Sequence, residues 1–446
     1  MYHLIVSLTG LVIALGALYA FTRTRDGFHP AIIIAPPLGY VYCIWPILLD
    51  QDGSLQELFG LEPIEHVGLL YLVVIAAFFL GLVKMPGRRA LFFIRHQKKL
   101  GDTLFTLTLT PTVRQRVFYL AIALGCLSFA AYADMLNNVG GFFAAYDSAK
   151  GGGRSRSGYI GEAVLLSFPA VLLLAISRQQ RRVRFQDISL ALLMIAPQLL
   201  QGTFGGRRGP LFLSLAALFI AWFVAKGTKP GLKVSLIGIA VIGFAVIIVM
   251  SQRQHIYLGS EEQFDLSRVT GVVEPKDIRH NDYVAGIAHV LKTDYQGNFY
   301  WGYRYLVTIF VRPIPRQLWP TKYQDVGADW VHKNYDEQVP VYVEAVGFAP
   351  PSGSAVGFIA DIYSEFAWGV VVVTYLFGRA HAAVWRRHRI RGGMWTVLLI
   401  EMLILSIYIP TQSFSAWYHR FLFMGVSTFL VWQYWIARGK RTRRHQ

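Results

Sequence analysis

The sequence predicts an all-α polytopic membrane protein with about eleven transmembrane helices. Of its 446 residues, 54% are hydrophobic and only 15% are charged. Apolar runs of about 20 residues, the length that crosses the hydrocarbon core of a bilayer, recur along the whole chain. This composition excludes a soluble globular protein, because such a protein carries a larger share of charged residues.

The apolar runs define the predicted spans, and each has about 20 residues. In chain order they are 2–21, 28–49, 66–84, 115–134, 159–177, 185–203, 209–226, 232–251, 354–378, 393–411 and 418–437.

The basic residues orient these spans. Six connecting segments hold 27 of the 43 Lys and Arg residues, and all six fall on the same side of the membrane. Because Lys and Arg favour cytoplasmic loops, the N-terminus is predicted outside and the C-terminus inside. The first external loop, 50–65, agrees, since it has five acidic residues and no Lys or Arg. Loops facing anionic lipid headgroups explain the net charge of +17, so no nucleic acid partner is expected.

Long connections divide the chain into three parts. These are 1–251 with the first eight spans, 252–353 as one large external loop, and 354–446 with the last three spans and a basic cytoplasmic tail. Within the loop, apolar residues at helical spacing predict an amphipathic helix over 276–297. An aromatic helix lying at the membrane interface is predicted from Asn298 to Val311, ending at Pro313.

A stretch of the large loop, Trp301 to Lys322, combines cations with aromatic rings. It contains four Lys and Arg residues and five Trp, Tyr and Phe residues. Its Arg-Pro-Ile-Pro-Arg segment is predicted to be an extended rod, because each proline fixes its own φ and biases the preceding residue towards an extended conformation. Arg312 and Arg316 would then lie about 12 Å apart, at ~3.1 Å per residue. Guanidinium groups match the geometry of phosphate oxygens, so both are candidates for binding anionic groups.

Other external cations break the positive-inside bias. Arg208 lies in the tight turn between the sixth and seventh spans, Arg154 lies in a glycine-rich external loop, and Arg420 begins the last span from the same side. The bias is strongest in short loops, so these residues predict an external anionic ligand. The alternative is pairing with acidic residues of the large loop, which carries twelve of them against ten Lys and Arg.

Acidic residues inside the predicted ninth span call for a polar environment, because a charged group there costs ~2.5–3.5 kcal/mol. Asp361 and Glu365 stand four residues apart and therefore share one helical face. They either hold the arginines in place or remove a proton from a substrate hydroxyl. His419, beside Arg420, is a further candidate acid or base, with an ordinary interface histidine as the alternative.

The sequence indicates neither a metal site nor a cofactor. Cys43 and Cys126 both lie in predicted spans, where cysteine packs as a small apolar residue. Asp50 and Asp52 have the spacing of a metal-binding Asp-x-Asp motif, but no third ligand is evident.

Three motifs resemble those of the Wzy-type polymerases of O-antigen and exopolysaccharide repeat units. They are GGRRGPLF at the start of a span, VRPIPRQLWPTK late in the large loop, and GFIADIYSEFAWG at the start of the next span. The resemblance implies a GT-C-type membrane glycosyltransferase. It also implies the bacterial cytoplasmic (inner) membrane, with the active site on the periplasmic, outer face.

The same resemblance implies the substrates. A growing glycan would pass from undecaprenyl pyrophosphate to the next lipid-linked repeat unit, so donor and acceptor are both undecaprenyl-pyrophosphate-linked oligosaccharides. A chain-length regulator is a candidate partner. The donor pyrophosphate is assigned first to Arg208, Arg312 and Arg316 and second to Lys322, Arg154 and Arg420. Candidates for activating the acceptor, chosen by position alone, are Asp361, Glu365 and His419.

Three other functions stay open. An O-antigen ligase would share the donor and the large external loop. A transporter or flippase of an anionic lipid-linked substrate could use external arginines for capture, but it would need polar residues continuing through the spans, and few are present. A purely structural or sensory role is the last alternative.

Overall fold

The structure of the chain, a computed structural model, describes most of its 446 residues. The described residues are 1–83, 110–148, 151, 161–179, 182–228, 230–252, 257–258, 278–314, 316–328, 335–351, 354–391 and 394–432. This part of the chain is all-helical, with 81% of residues in helices and no strand.

Twenty helices follow one another along the described chain. They are α1 (Tyr2–Thr24), α2 (Pro30–Leu49), α3 (Ser54–Phe59), α4 (Leu61–Val83), α5 (Pro111–Asn137), α6 (Phe142–Ala145), α7 (Gly161–Arg178), α8 (Phe185–Thr203), α9 (Arg208–Lys226), α10 (Leu232–Gln252), α11 (Asp282–Gln296), α12 (Tyr303–Leu306), α13 (Lys322–Asp325), α14 (Tyr335–Val346), α15 (Gly357–Phe366), α16 (Val370–Arg391), α17 (Met394–Leu405), α18 (Tyr408–Thr411), α19 (Phe414–Phe421) and α20 (Ser427–Val431).

Seven segments of the described chain are long and apolar enough to cross a membrane. They are α1, α2, α4, α5, α7, α9 and the run 357–390 that joins α15 to α16. A polytopic, membrane-embedded protein is therefore confirmed. The count of eleven spans and their orientation stay predictions. Two of the other predicted spans correspond to the shorter apolar segments in α10 and α17.

Helices α4 and α16 pack against each other with their backbones in close contact. A Cβ atom added to Gly81 would lie 2.3 Å from the carbonyl oxygen of Tyr375. One added to Gly378 would lie 2.3 Å from the carbonyl oxygen of Phe78. Small residues permit such close approach in membrane proteins, where van der Waals packing between helices replaces hydrophobic expulsion from water. This glycine crossing fixes α16, and with it the neighbouring α15.

The predicted span 354–378 is interrupted in the structure. α15 ends at Phe366, a 3₁₀ turn covers Ala367–Gly369, and α16 begins at Val370. Ala367 has a φ of 48°, in the left-handed region that a continuous helix excludes. α15 has 10 residues, which at ~1.5 Å per residue is too short to cross a bilayer, and it is buried from Gly357 to Glu365.

Among the described residues of the predicted large loop, one helix is buried against the transmembrane helices. The predicted helix over 276–297 is confirmed as α11, which begins later, after Asn281. The Asn281 side chain caps it by accepting a hydrogen bond from the backbone N–H of Tyr283 at 2.8 Å. α11 then buries Val284, Ile287 and Ala288 completely.

Four tyrosines anchor α11 to the first helices of the chain. The Tyr283 hydroxyl lies 2.9 Å from the Tyr2 hydroxyl. Its ring centroid lies 5.7 Å from that of Tyr71 and 6.3 Å from that of Tyr42. All four rings are buried. This tyrosine cluster ties α11 to α1, α2 and α4.

The aromatic helix predicted from Asn298 to Val311 is correct only in its second half. Trp301 and Gly302 have φ values of 52° and 82°, so the helix α12 begins after them. It continues as a π-helical turn over Val307–Val311 and ends before Pro313. Trp301 is 70% exposed, so the stretch keeps an aromatic surface.

Candidate functional site

The buried carboxylates of Asp361 and Glu365 both form ion pairs with Arg304. Its Nε lies 2.5 Å from Oε1 of Glu365, and its Nη2 lies 2.6 Å from Oδ1 of Asp361. The carboxylate side chains are 0% and 2% exposed. The backbone N–H of Gly302 donates to the second Glu365 oxygen at 2.9 Å. Both acids of α15 thus fix the start of α12.

The second oxygen of Asp361 is also occupied. It accepts hydrogen bonds at 3.0 Å from the Tyr305 hydroxyl and from the backbone N–H of Ser415, at the start of α19. Burial works against the charge of Arg304, but the carboxylates of Asp361 and Glu365 outweigh it and raise the pKa of Arg304 above its ordinary value. Two roles were predicted for these carboxylates, and the geometry supports the first, which is to hold an arginine in place. Their catalytic role stays a prediction.

Arg312 and Arg316 do not lie on an extended rod. Arg312 has helical backbone angles, φ −55° and ψ −40°. The backbone N–H of Ile314 donates to the carbonyl of Val311 at 3.2 Å, which closes a turn. The bias imposed by a following proline is a tendency, and here the turn overrides it. Arg316 projects from this turn with its guanidinium carbon 5.8 Å from the ring centroid of Tyr323.

Lys322 explains why the turn forms. Its ammonium group donates to the carbonyls of Val311 at 3.1 Å and Arg312 at 3.0 Å, and also to the carbonyl of Ile314. Burial, with the charges of Arg316 and Arg312, lowers the pKa of Lys322. Because an ammonium group has three N–H donors, all three are committed to backbone. The predicted binding of pyrophosphate by Lys322 would require their release.

Glu162 lies between Arg312 and His419. Its Oε1 is 2.9 Å from Nη2 of Arg312 and 3.9 Å from Nδ1 of His419. Glu162 belongs to the 3₁₀ turn that opens α7, and His419 lies on α19. The three side chains are 28%, 42% and 6% exposed in the order Glu162, Arg312, His419. One carboxylate thus faces a partly exposed cation and a buried imidazole.

Arg208 opens α9 and forms an ion pair of its own. Its Nη2 lies 3.1 Å from Oδ2 of Asp282, the first residue of α11. The other oxygen of Asp282 accepts from the backbone N–H of Ala355 at 3.0 Å. Arg208 remains 42% exposed. The ion pair holds the start of α9 against the start of α11.

Tyr408 connects Arg208 to Arg420. The guanidinium carbon of Arg420 lies 4.4 Å from the Tyr408 ring centroid, and Nη1 of Arg420 donates to the carbonyl of Ala416 at 2.9 Å. A Cβ added to Gly209, the residue after Arg208, would lie 2.1 Å from the Tyr408 hydroxyl oxygen. Both Arg208 and Arg420 act electrostatically on that hydroxyl, which is buried and has no hydrogen-bond partner among the described residues.

The structure therefore brings together several cations that are far apart in sequence. The charges of Arg312 and Arg420 both act on His419. The charges of Arg420 and Arg208 both act on Tyr408. We call these five residues, with Glu162, the arginine cluster.

Three further predicted site residues lie beside the cluster or cannot be placed. Arg316 follows the turn that carries Arg312, and Lys322, the first residue of α13, donates to the carbonyls of that turn. Arg154 lies in 152–160, outside the described residues.

Sequence reasoning missed three members of this arrangement. Glu162, Asp282 and Tyr408 each contact a predicted arginine, yet none belongs to a motif. Of the three, only Glu162 could have been found from the sequence, because it is an isolated acidic residue near the predicted outer end of an apolar run.

Among the described residues, no group of three or more His, Cys, Asp and Glu side chains could hold a metal ion. Comparisons with protein-family models, with curated proteins and with solved structures found no match.

Proposed function

We propose that the chain is a membrane glycosyltransferase that polymerises lipid-linked oligosaccharide repeat units, as its resemblance to the Wzy-type polymerases suggests. A growing glycan would be transferred from undecaprenyl pyrophosphate to the next lipid-linked unit at the outer face of the bacterial cytoplasmic membrane. The observation that carries the proposal is the arginine cluster, which gathers guanidinium groups from three distant parts of a membrane-embedded chain.

The cluster suits a pyrophosphate leaving group. Arg208 and Arg312 are each 42% exposed, and each uses Nη2 for one carboxylate contact. A guanidinium group has five N–H donors, so both retain donors for phosphate oxygens. Negative charge grows on the pyrophosphate as the glycosidic bond breaks, and positioned cations stabilise such developing charge.

The acceptor is activated in this proposal by His419. Its imidazole would take the proton of the attacking hydroxyl, a step that positioned general bases accelerate by about 10²–10⁴-fold. Asp361 and Glu365 would support the site by holding Arg304, which places the segment that leads to Arg312.

The test uses the purified protein in lipid nanodiscs with a lipid-pyrophosphate oligosaccharide. The wild-type protein is expected to produce a ladder of products that differ by one repeat unit. Arg312→Ala and Arg208→Ala are expected to leave single units. Arg312→Lys is expected to fail too, because an ammonium group cannot make a bidentate contact. Arg23→Ala, at an exposed position on α1, is the matched control.

Other outcomes point to other functions. Polymer transferred from the carrier to a lipid A core acceptor would indicate a ligase, and substrate crossing a vesicle membrane without a new glycosidic bond would indicate a transporter. Absence of a ladder from the wild-type protein would overturn the polymerase proposal, and normal ladders from both alanine variants would overturn the role of the arginine cluster in it.

A further inference from the structure

Glu162 contacts two residues to which the proposed reaction assigns roles, Arg312 and His419. Its Oε1 is shared between the guanidinium of Arg312, at 2.9 Å, and the imidazole of His419, at 3.9 Å. The first is an ion pair in contact and the second lies just beyond hydrogen-bond distance. The carboxylate therefore has one partner in place and a second within a short side-chain movement.

An incoming diphosphate would compete with this carboxylate for Arg312. A diphosphate carries several negative charges and presents many acceptor oxygens, whereas Glu162 offers one charge. Arg312 is 42% exposed, so the competitor can reach it without unfolding the site. Glu162 is only 28% exposed, and an uncompensated charge that is largely buried is costly. Once Arg312 is engaged by the diphosphate, the His419 imidazole still lies 3.9 Å from the Glu162 carboxylate.

We propose that Glu162 holds the phosphate-binding guanidinium of Arg312 while the site is empty and moves onto His419 when a diphosphate takes its place. Binding of the donor would thereby place a carboxylate against the imidazole that acts on the acceptor. Glu162 is a positioning residue in this scheme, since it acts through Arg312 and His419. The release of Arg312 to a diphosphate concerns binding alone. The action of Glu162 on His419 during transfer rests on the proposed function.

In the transfer step the acceptor hydroxyl oxygen forms a bond to the anomeric carbon of the donor. The bond between that carbon and the phosphate oxygen breaks, and its electron pair leaves with the lipid pyrophosphate. The hydroxyl proton passes to the imidazole of His419. Glu162 stabilises the resulting imidazolium, which gives its proton to water after the product leaves.

Glu162→Gln separates this role from a merely structural one. The amide keeps the size of the side chain but loses the charge, so it competes less well for Arg312. Inorganic pyrophosphate is expected to bind the full-length variant ~2- to 5-fold more tightly than the wild type, the effect of removing one partly exposed ion pair. The donor KM should fall in parallel. In contrast, kcat should fall at least about tenfold, because the imidazolium loses its carboxylate.

Two further variants complete the experiment. Glu162→Asp keeps the charge and is expected to retain more turnover than Glu162→Gln. Glu344→Gln, at an exposed acidic position of α14, is expected to change neither quantity.

The outcomes separate this inference from the proposed function. If the wild type makes no polymer but Glu162→Gln still binds pyrophosphate more tightly, the polymerase assignment fails while the competition for Arg312 stands. Weaker pyrophosphate binding by Glu162→Gln, or an unchanged kcat with tighter binding, would overturn the inference.

Discussion

Nη2 of Arg304 lies 2.6 Å from Oδ1 of Asp361, and this ion pair joins α12 to the buried helix α15. Glu365, one turn further along α15, contacts Nε of the same guanidinium. The pairing holds both carboxylates in buried positions, with side-chain exposures of 2% for Asp361 and 0% for Glu365. It also fixes α12, whose continuation carries Arg312.

Arg304→Met is expected to destabilise the protein by about 3–5 kcal/mol, because it leaves buried carboxylates without their cation. Asp361→Asn should cost less, since Arg304 keeps Glu365. Thermal unfolding in detergent measures both. Arg279→Met, at an exposed position of the same segment, serves as the control. A wild-type unfolding temperature for Asp361→Asn together with complete loss of activity would instead favour the catalytic role of Asp361.

Gly209→Ala is expected to destabilise the protein by about 1–3 kcal/mol through overpacking, because the new methyl group would lie 2.1 Å from the Tyr408 hydroxyl oxygen. The double variant with Tyr408→Phe should recover part of the loss. Recovery is partial because the ring carbon that bears the hydroxyl lies 3.1 Å from the same position. Gly243→Ala, with nothing within 4 Å of its added methyl group, is the control. Additive effects of the two substitutions would contradict the contact.

Lys322→Met removes the donor of three carbonyl groups in the turn that carries Arg312. Leaving buried acceptors unpaired costs about 1–3 kcal/mol in total, so the turn should open more often to proteases. Limited proteolysis and glycan transfer measured on the same preparation report the two effects. Lys226→Met, whose ammonium group lies over the Trp222 ring, is the matched control. Unchanged proteolysis with weaker pyrophosphate binding would show that Lys322 contacts the ligand directly.

The stability of the protein should fall on acidification because of His289 in α11. Burial, with the charges of Lys292 and Arg304, lowers its pKa from 6.5 to about 3. Below pH 6.5 the unfolded chain takes up a proton that the folded protein excludes, so stability decreases from pH 6.5 towards pH 3. Between pH 7.5 and pH 5 the loss is about 2 kcal/mol.

Unfolding temperatures at these two pH values test this prediction. His289→Gln should reduce the pH dependence, whereas His66→Gln, whose side chain is 46% exposed, should keep it. An identical pH dependence for wild type and His289→Gln would contradict the assignment.

Local chemistry made parts of the fold predictable. The apolar runs gave the long helices because a bilayer core requires a fixed length of chain. Asn281 capped α11 near its predicted start, and the end of the aromatic helix before Pro313 followed from the missing N–H of proline.

Other features depend on contacts between distant residues, which local patterns do not encode. The break at Ala367 has apolar residues on both sides, so hydropathy continues across it. The extended rod failed because Lys322 folds back onto the carbonyls that precede it. The same-face placement of Asp361 and Glu365 was predictable from their spacing, but their choice of Arg304 over Arg312 was not.

The tyrosine cluster bears on how this protein can be engineered. Tyr283 belongs to α11, while its three buried neighbours come from the first three long helices. Grafting the corresponding segment of another protein onto these helices would therefore place foreign side chains against Tyr2, Tyr42 and Tyr71. Chimeras that exchange the segment alone should assemble poorly, and those that exchange the first three long helices with it should assemble well.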